Sequence, residues 1–160
     1  GISYTVQHPG FIEVPSAHAL LSTSPERHLS AEDGLLARIA QAGPDDEILV
    51  EQLDEPLAWG SSAIPADNPR LAALIAAAQR GALVRILLDA GYDQPYEPRS
   101  NAATVATLNA LGIPTLRAAT GNPTDAGIHN KMVLMRIGGQ AHSHLGSWNG
   151  SEVVLNLIVK

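Results

Sequence analysis

The chain has 160 residues, of which 45% are hydrophobic, so it is long enough for one domain with a full core that buries roughly 70% of the surface of the unfolded chain. A net charge of −6, with no basic run, excludes a protein that grips a bulk polyanion through its overall field, although arginines brought together in space can still form a local positive pocket. The absence of cysteine excludes disulfides, thiolate metal sites and cysteine nucleophiles, and no stretch approaches the ~20 apolar residues that a membrane-spanning helix needs.

Residues 1–16, with His8-Pro9-Gly10, read as an irregular lead-in, and residues 17–160 as the domain. No signal peptide is visible, and Gly1 in place of Met is expected of a processed or excised chain. His18 to Ser22 reads as a short first strand with a turn at Ser24-Pro25, and His18 and His28 as surface or interfacial residues. Ser30 is the expected N-cap of a first helix with Glu32 and Asp33 in its first turn. Leu35, Leu36, Ile39 and Ala40 form its apolar stripe, and Gly43-Pro44 stops it.

After the Asp45-Asp46 turn, Glu47 to Leu53 reads as a central strand. Ligands of open sheets gather outside strand carboxyl ends, which makes Glu51 and Gln52 candidates for substrate contact; a solvent-facing polar strand end is the plainer reading. Asp54 to Pro69 has no period and contains Pro56, Trp59, Gly60 and Pro65, so it is expected to be a long loop forming a rim.

Asn68 and Pro69 suit the N-cap and N1 positions of a second helix, with Leu71, Leu74, Ile75 and Ala78 buried and Arg80-Gly81 at its end. Leu83 to Asp89 follows as a strand whose last residue, Asp89, is either a substrate-site residue or a cap for the loop Ala90 to Arg99. Ser100 or Asn101 opens a third helix through Leu111, closed by Gly112. Ile113 to Arg117 is a short strand that Pro114 assigns to an edge or a strand start, and Thr120 to Gly127 is a polar loop. Helices alternating with strands predict an α/β fold, a mixed sheet with helices on both faces.

Ile128-His129-Asn130-Lys131-Met132-Val133-Leu134-Met135 then places an imidazole and an ammonium two residues apart, on one face if the segment is extended. Gly138-Gly139 signals a two-residue hairpin, and Gln140 to Leu145 would return antiparallel to bring Gly146-Ser147-Trp148-Asn149 beside the pair. These groups suit a phosphoryl centre: a neutral imidazole attacks phosphorus, a lysine is a point charge for its oxygens, and Ser147 and Asn149 add neutral donors. The chain has eight arginines and only two lysines, which makes the choice of lysine at position 131 informative.

His129-x-Lys131 followed by Gly146-Ser147-x-Asn149 resembles the HxK signature of the phospholipase D superfamily. The likeness extends upstream through Pro69-Arg70-Leu71, Gln79-Arg80-Gly81 and the strand to Asp89, and covers roughly Ala17 to the end. It implies a phospholipase D-like fold and a phosphodiester hydrolase that needs no metal or other cofactor. His129 would form a phosphohistidine, assisted by Lys131, Asn149 and Ser147, with transfer to another alcohol as a second outcome of the same intermediate. Gly146, Glu152, Gln52 and Asp89 are the further substrate-binding candidates.

The superfamily uses two such motifs in one reaction centre and this chain carries one, so the expected partner is a second copy or a second domain of the same kind. The substrate would be a phospholipid or a nucleic acid. Two departures qualify the likeness: Arg136 stands where the motif has Asp, and Glu152 is the sole carboxylate downstream of His129. They favour the alternative of an impaired domain that serves as the partner half or binding module of a longer protein. A metal site of His129, His142 and His144 is a third reading, and it leaves Gly-Ser-x-Asn without a role.

Overall fold

The computed structural model describes residues 29–61, 64–91, 100–122 and 127–146. In chain order these form α1 (Leu35–Gln41), β1 (Glu47–Gln52), β2 (Ala58–Ser61), β3 (Ile64–Asp67), α2 (Pro69–Gln79), β4 (Leu83–Asp89), α3 (Asn101–Ala110), β5 (Leu116–Gly121), β6 (Lys131–Ile137) and β7 (Gln140–Leu145). Five strands make one sheet in the order β5-β4-β1-β6-β7, and β2 and β3 form a separate hairpin. The protein is therefore an α/β protein with a mixed sheet. The β1–β4 and β4–β5 pairs are parallel, while β1–β6 and β6–β7 are antiparallel. As expected, β1 is central, and it joins the parallel half to the antiparallel half.

One face of this sheet carries the core. Ile48 and Val50, Val84, Ile86 and Leu88, Leu116 and Ala118, and Val133, Met135 and Ile137 alternate along their strands on the same side. They pack with Leu35 and Ile39 of α1, Leu71, Leu74, Ala77 and Ala78 of α2, and Leu108 of α3. Each fully buried aliphatic side chain contributes roughly 1.5–3 kcal/mol.

The opposite face presents Leu49, Leu87, Met132 and Leu134 among Glu51, Arg85 and Arg117, around an open cavity of about 380 Å³. The expected second helical layer is not among the described residues. On this face Leu49 stands between Glu47 and Glu51 on β1, and Arg85 stands between Leu83 and Leu87 on β4, while the residues facing the core between them are buried, the alternation of a sheet with one packed face. No helix among the described residues is long and apolar enough to cross a membrane.

Local chemistry accounts for the elements. Asn68 caps α2 by accepting from the N–H groups of Arg70 (2.9 Å) and Leu71 (3.4 Å), with Pro69 at N1. At the other end Gly81 adopts φ +104°, a left-handed conformation that suits glycine after a helix. Ser100 caps α3 by accepting from Ala103 N–H at 3.0 Å. Gly138 and Gly139, at φ +56° and +78°, make the primed turn between β6 and β7. Asp46 Oδ1 accepts from Gly138 N–H and Oδ2 from Gly43 N–H, each at 2.9 Å, and these backbone donors hold its carboxyl below the ordinary range. Asn109 donates to Ala118 O (2.8 Å) and accepts from Ala118 N–H (3.0 Å), which ties the backbone of β5 to α3.

Three expectations are corrected. Ser30 does not cap α1; its Oγ accepts from the N–H groups of Glu32 (3.1 Å) and Asp33 (3.3 Å) in a preceding turn. Extended Gly34 (ψ −160°) then delays the helix to Leu35. The stretch from Asp54 to Pro69 is not all loop, because β2 and β3 pair within it with Gly60 opposite Pro65. Glycine and proline hide the period there, and an isolated hairpin can carry proline because no further strand needs its missing donor. β5 begins at Leu116, with Pro114 in the turn before it, and is an outermost strand of the sheet among the described residues. The early strand at His18 to Ser22 and the loop Ala90 to Arg99, apart from its first two residues, lie outside the described residues.

The Asn68 side chain is fully engaged: besides its two acceptor contacts it donates to Glu55 Oε1 (2.7 Å) and Pro56 O (2.8 Å). Asn68→Ala removes a cap and two donors to buried acceptors together. Chemical denaturation is expected to show a loss of about 2 kcal/mol or more. A change below ~0.5 kcal/mol would contradict this account of how α2 starts.

Candidate functional site

The sheet delivers its chemistry at one end. Gln52, the last residue of β1, pairs with Lys131, the first of β6, and Gly146 N–H donates to Lys131 O at 3.1 Å. The start of Gly-Ser-x-Asn is thus joined to Lys131 by the hairpin, as the sequence predicts, while Ser147, Asn149 and Glu152 lie outside the described residues. β4 runs parallel to β1 and ends beside it at Asp89.

Asp89 is 3% exposed, and its Oδ1 accepts from Ile128 N–H at 2.6 Å. A Cβ on Gly127, at φ +80°, would lie 2.7 Å from that same oxygen, so only glycine permits the approach. Of the two expectations for Asp89, substrate contact or capping of the loop that follows, the described contacts add a third role: it fixes the backbone just ahead of His129. His129 itself is exposed and precedes the first paired residue of β6. It is tied to Lys131 through its backbone, since Lys131 Nζ donates to His129 O at 2.7 Å.

Behind Lys131 is a charged cluster that sequence reading missed. Glu55 is 0% exposed and Arg70 4%, with Arg70 Nη2 3.0 Å from Glu55 Oε2. The distance is that of an ion pair, but neither atom makes a hydrogen bond. Around it, Asn101 Oδ1 accepts from Glu55 N–H (3.2 Å), Asn101 Nδ2 donates to Leu53 O and Asp89 O (2.8 Å each), and Thr104 Oγ1 donates to Glu55 O (2.8 Å).

The buried side-chain polar atoms without a hydrogen bond, among the described residues, belong to Gln52, Asp54, Glu55 and Arg70. Their gathering at the end of β1 and the start of α2 is informative, because buried groups left unsatisfied are rare and concentrate where a protein does something other than fold. Gln52 is 2% exposed, which corrects the plainer expectation of a solvent-facing strand end.

Electrostatics couple the same residues. Burial pushes the Asp54 carboxyl up, against the pull of Lys131 and Arg70. Burial likewise raises Glu55, opposed by Arg70 and by the Asn68 hydrogen bond. Lys131 is lowered by burial and partly restored by Asp54. His144, half-buried on β7 opposite Val133, is lowered by burial and then by Arg70, so its imidazole favours the neutral form.

One signal for this cluster was present in the sequence. An arginine in the first turn of a helix opposes the dipole, so Arg70, directly after Pro69, called for an acidic partner. That the partner is Glu55 follows from the fold alone.

Arg136, at the position of the motif Asp, faces Glu47 across the β1–β6 pair at 3.8 Å, in a largely exposed contact. The turn beyond it is held by Asp46. His142 and His144 share a face of β7, yet no group of three His, Cys, Asp or Glu residues able to hold a metal occurs among the described residues. Against models of known protein families and against curated proteins, the chain finds no match. The likeness to the phospholipase D superfamily therefore rests on the residues quoted above.

The two ion pairs should differ sharply on mutation. Arg70→Met strands a buried carboxylate and is expected to cost roughly 3–5 kcal/mol, whereas Arg136→Ala, in a solvent-screened pair, should change stability by under ~1 kcal/mol. Comparable losses in urea titrations of the two variants would contradict the buried network.

Proposed function

We propose that the protein is a phospholipase D-like phosphodiesterase that works through a phosphohistidine at His129. The observation that carries this reading is the convergence of Lys131, Gln52, Gly146 and the Asp89-anchored approach to His129 on one strand end, where the described buried unpartnered polar atoms also gather. In the proposed reaction an imidazole nitrogen of His129 bonds to phosphorus as the bond to the leaving alkoxide breaks. Lys131 balances charge on the phosphoryl oxygens, and Ser147 and Asn149 add neutral donors. Water then displaces the imidazole and yields the phosphomonoester. An alcohol in its place would give a transfer product.

Expelling an alkoxide near neutral pH calls for a proton donor, worth typically ~10²–10⁴-fold. His144 is poorly suited, because burial and Arg70 favour its neutral form. We assign the role to a second His129, brought by a homodimer or a tandem domain, since an isologous interface sets the same patch of both subunits face to face. The substrate is a phospholipid or a nucleic acid phosphodiester. The second reading, a non-catalytic partner half, is favoured by Arg136, which stands in place of the motif Asp and lies 3.8 Å from Glu47, and by Glu152 as the sole carboxylate downstream of His129.

On the first reading, His129→Ala abolishes turnover of an aryl phosphodiester and Lys131→Ala lowers it by at least ~100-fold, both with unchanged circular dichroism. Excess His129→Ala chains should also depress the activity of each wild-type chain on mixing. Full activity in His129→Ala would remove the assignment, and an inert wild type would favour the second reading.

A further inference from the structure

Asp54 has no role in the reaction just described, yet the fold places it just past the Gln52–Lys131 pair. The antiparallel register ends with Gln52 opposite Lys131, and Asp54 lies two residues further along the same chain direction, toward the His129 side of the pair. Its backbone is pinned on both sides: Leu53 O accepts from Asn101 Nδ2 at 2.8 Å, Glu55 N–H donates to Asn101 Oδ1 at 3.2 Å, and Glu55 O accepts from Thr104 Oγ1 at 2.8 Å. A residue bracketed in this way by the first turn of α3 cannot swing away without breaking buried hydrogen bonds. Its Oδ1 is buried and makes no hydrogen bond.

The neighbouring charges decide which group Asp54 serves. Arg70 on α2 lies at ion-pair distance from Glu55. His144 on β7 is pushed toward its neutral form and so carries little charge. Gln52 is neutral, and the described hydrogen bond of Lys131 Nζ goes to a neutral carbonyl, that of His129. Lys131 is thus the cation with the larger pull on Asp54, ahead of Arg70, and among the described residues it has no carboxylate at ion-pair distance.

We infer that Asp54 is a positioning residue for Lys131, a fixed counter-charge that keeps the ammonium protonated and at the strand end although the site is partly desolvated. The inference rests on the reading of Lys131 as the cation of a phosphodiester site. The opposing effects of burial and of the Asp54–Lys131 interaction on both groups agree with it. The direction of its consequence follows: without the carboxylate, Lys131 loses its proton at lower pH, so activity fails earlier as pH rises.

The chain has two lysines, Lys131 and Lys160, so a lysine-labelled sample gives two side-chain ¹³Cε signals, assigned with Lys160→Arg. In Asp54→Asn the Lys131 signal should titrate at lower pH than in wild type. The alkaline limb of the pH–rate profile on an aryl phosphodiester should move the same way, and Asp54→Glu should restore both. An unmoved Lys131 titration in folded Asp54→Asn overturns the inference. Should Asp54→Asn fail to fold, Lys131→Met supplies the reciprocal test: the Asp54 carboxyl must then titrate higher than in wild type, and an unchanged value overturns the inference equally. A shifted Lys131 in a protein whose wild type turns over no phosphodiester sinks the functional reading alone and leaves the Asp54–Lys131 pair standing.

Discussion

A carboxylate removed entirely from water is tolerable only if other groups replace its hydration, and Glu55 is such a carboxylate. Arg70 supplies the opposite charge and Asn68 donates at 2.7 Å, while Asn101 and Thr104 hold the Glu55 backbone at its N–H and its carbonyl. These partners come from the first turns or caps of α2 and α3. One buried acid therefore binds the exit of the central strand to the starts of two helices. Such a pair is weak evidence for extra stability, because desolvating both ions offsets their attraction. What it does is fix geometry, since any other arrangement leaves a bare charge inside the protein.

The site inherits this geometry. Asn101 joins Leu53 O at the end of β1 to Asp89 O at the end of β4, so the two parallel strand ends are held by one side chain. From Asp89 the link passes through Oδ1 to Ile128 N–H, one residue before His129. From β1 it passes through the Gln52–Lys131 pair and then to Gly146. His129 is therefore exposed but approached by a rigid path on each side, an arrangement suited to a nucleophile that must meet a large substrate without losing its aim.

Local signals were legible in the sequence and long-range ones were not. Asn68-Pro69 and Arg80-Gly81 bounded α2, Leu83 to Asp89 was read to the residue, and Gly138-Gly139 fixed the hairpin register that brings Gly146 to Lys131, because each depends on neighbours within a few positions. The start of α1 was misplaced by four residues or so because Ser30 forms a turn of its own before extended Gly34. The hairpin of β2 and β3 was hidden by glycine and proline. Asp54 and Glu55 fell in a stretch expected to be a loop and Arg70 just inside the second helix; the burial of Glu55 and Arg70 depends on partners brought together by the fold, such as Asn101, 46 residues from Glu55. The three described helices contribute core residues to one face of the sheet, and a helical layer on the other face lies outside the described residues.

The central claim is that His129 carries the phosphoryl group, and the direct measurement is to catch it there. Wild-type protein would be mixed with a phosphodiester substrate, quenched within the first turnover in alkaline denaturant to preserve phosphohistidine, digested, and analysed by mass spectrometry. The account predicts a phosphoryl adduct on the peptide containing His129, absent when the quench is acidified. Turnover at a steady rate with no adduct on that peptide, or with the adduct on another residue, would contradict it.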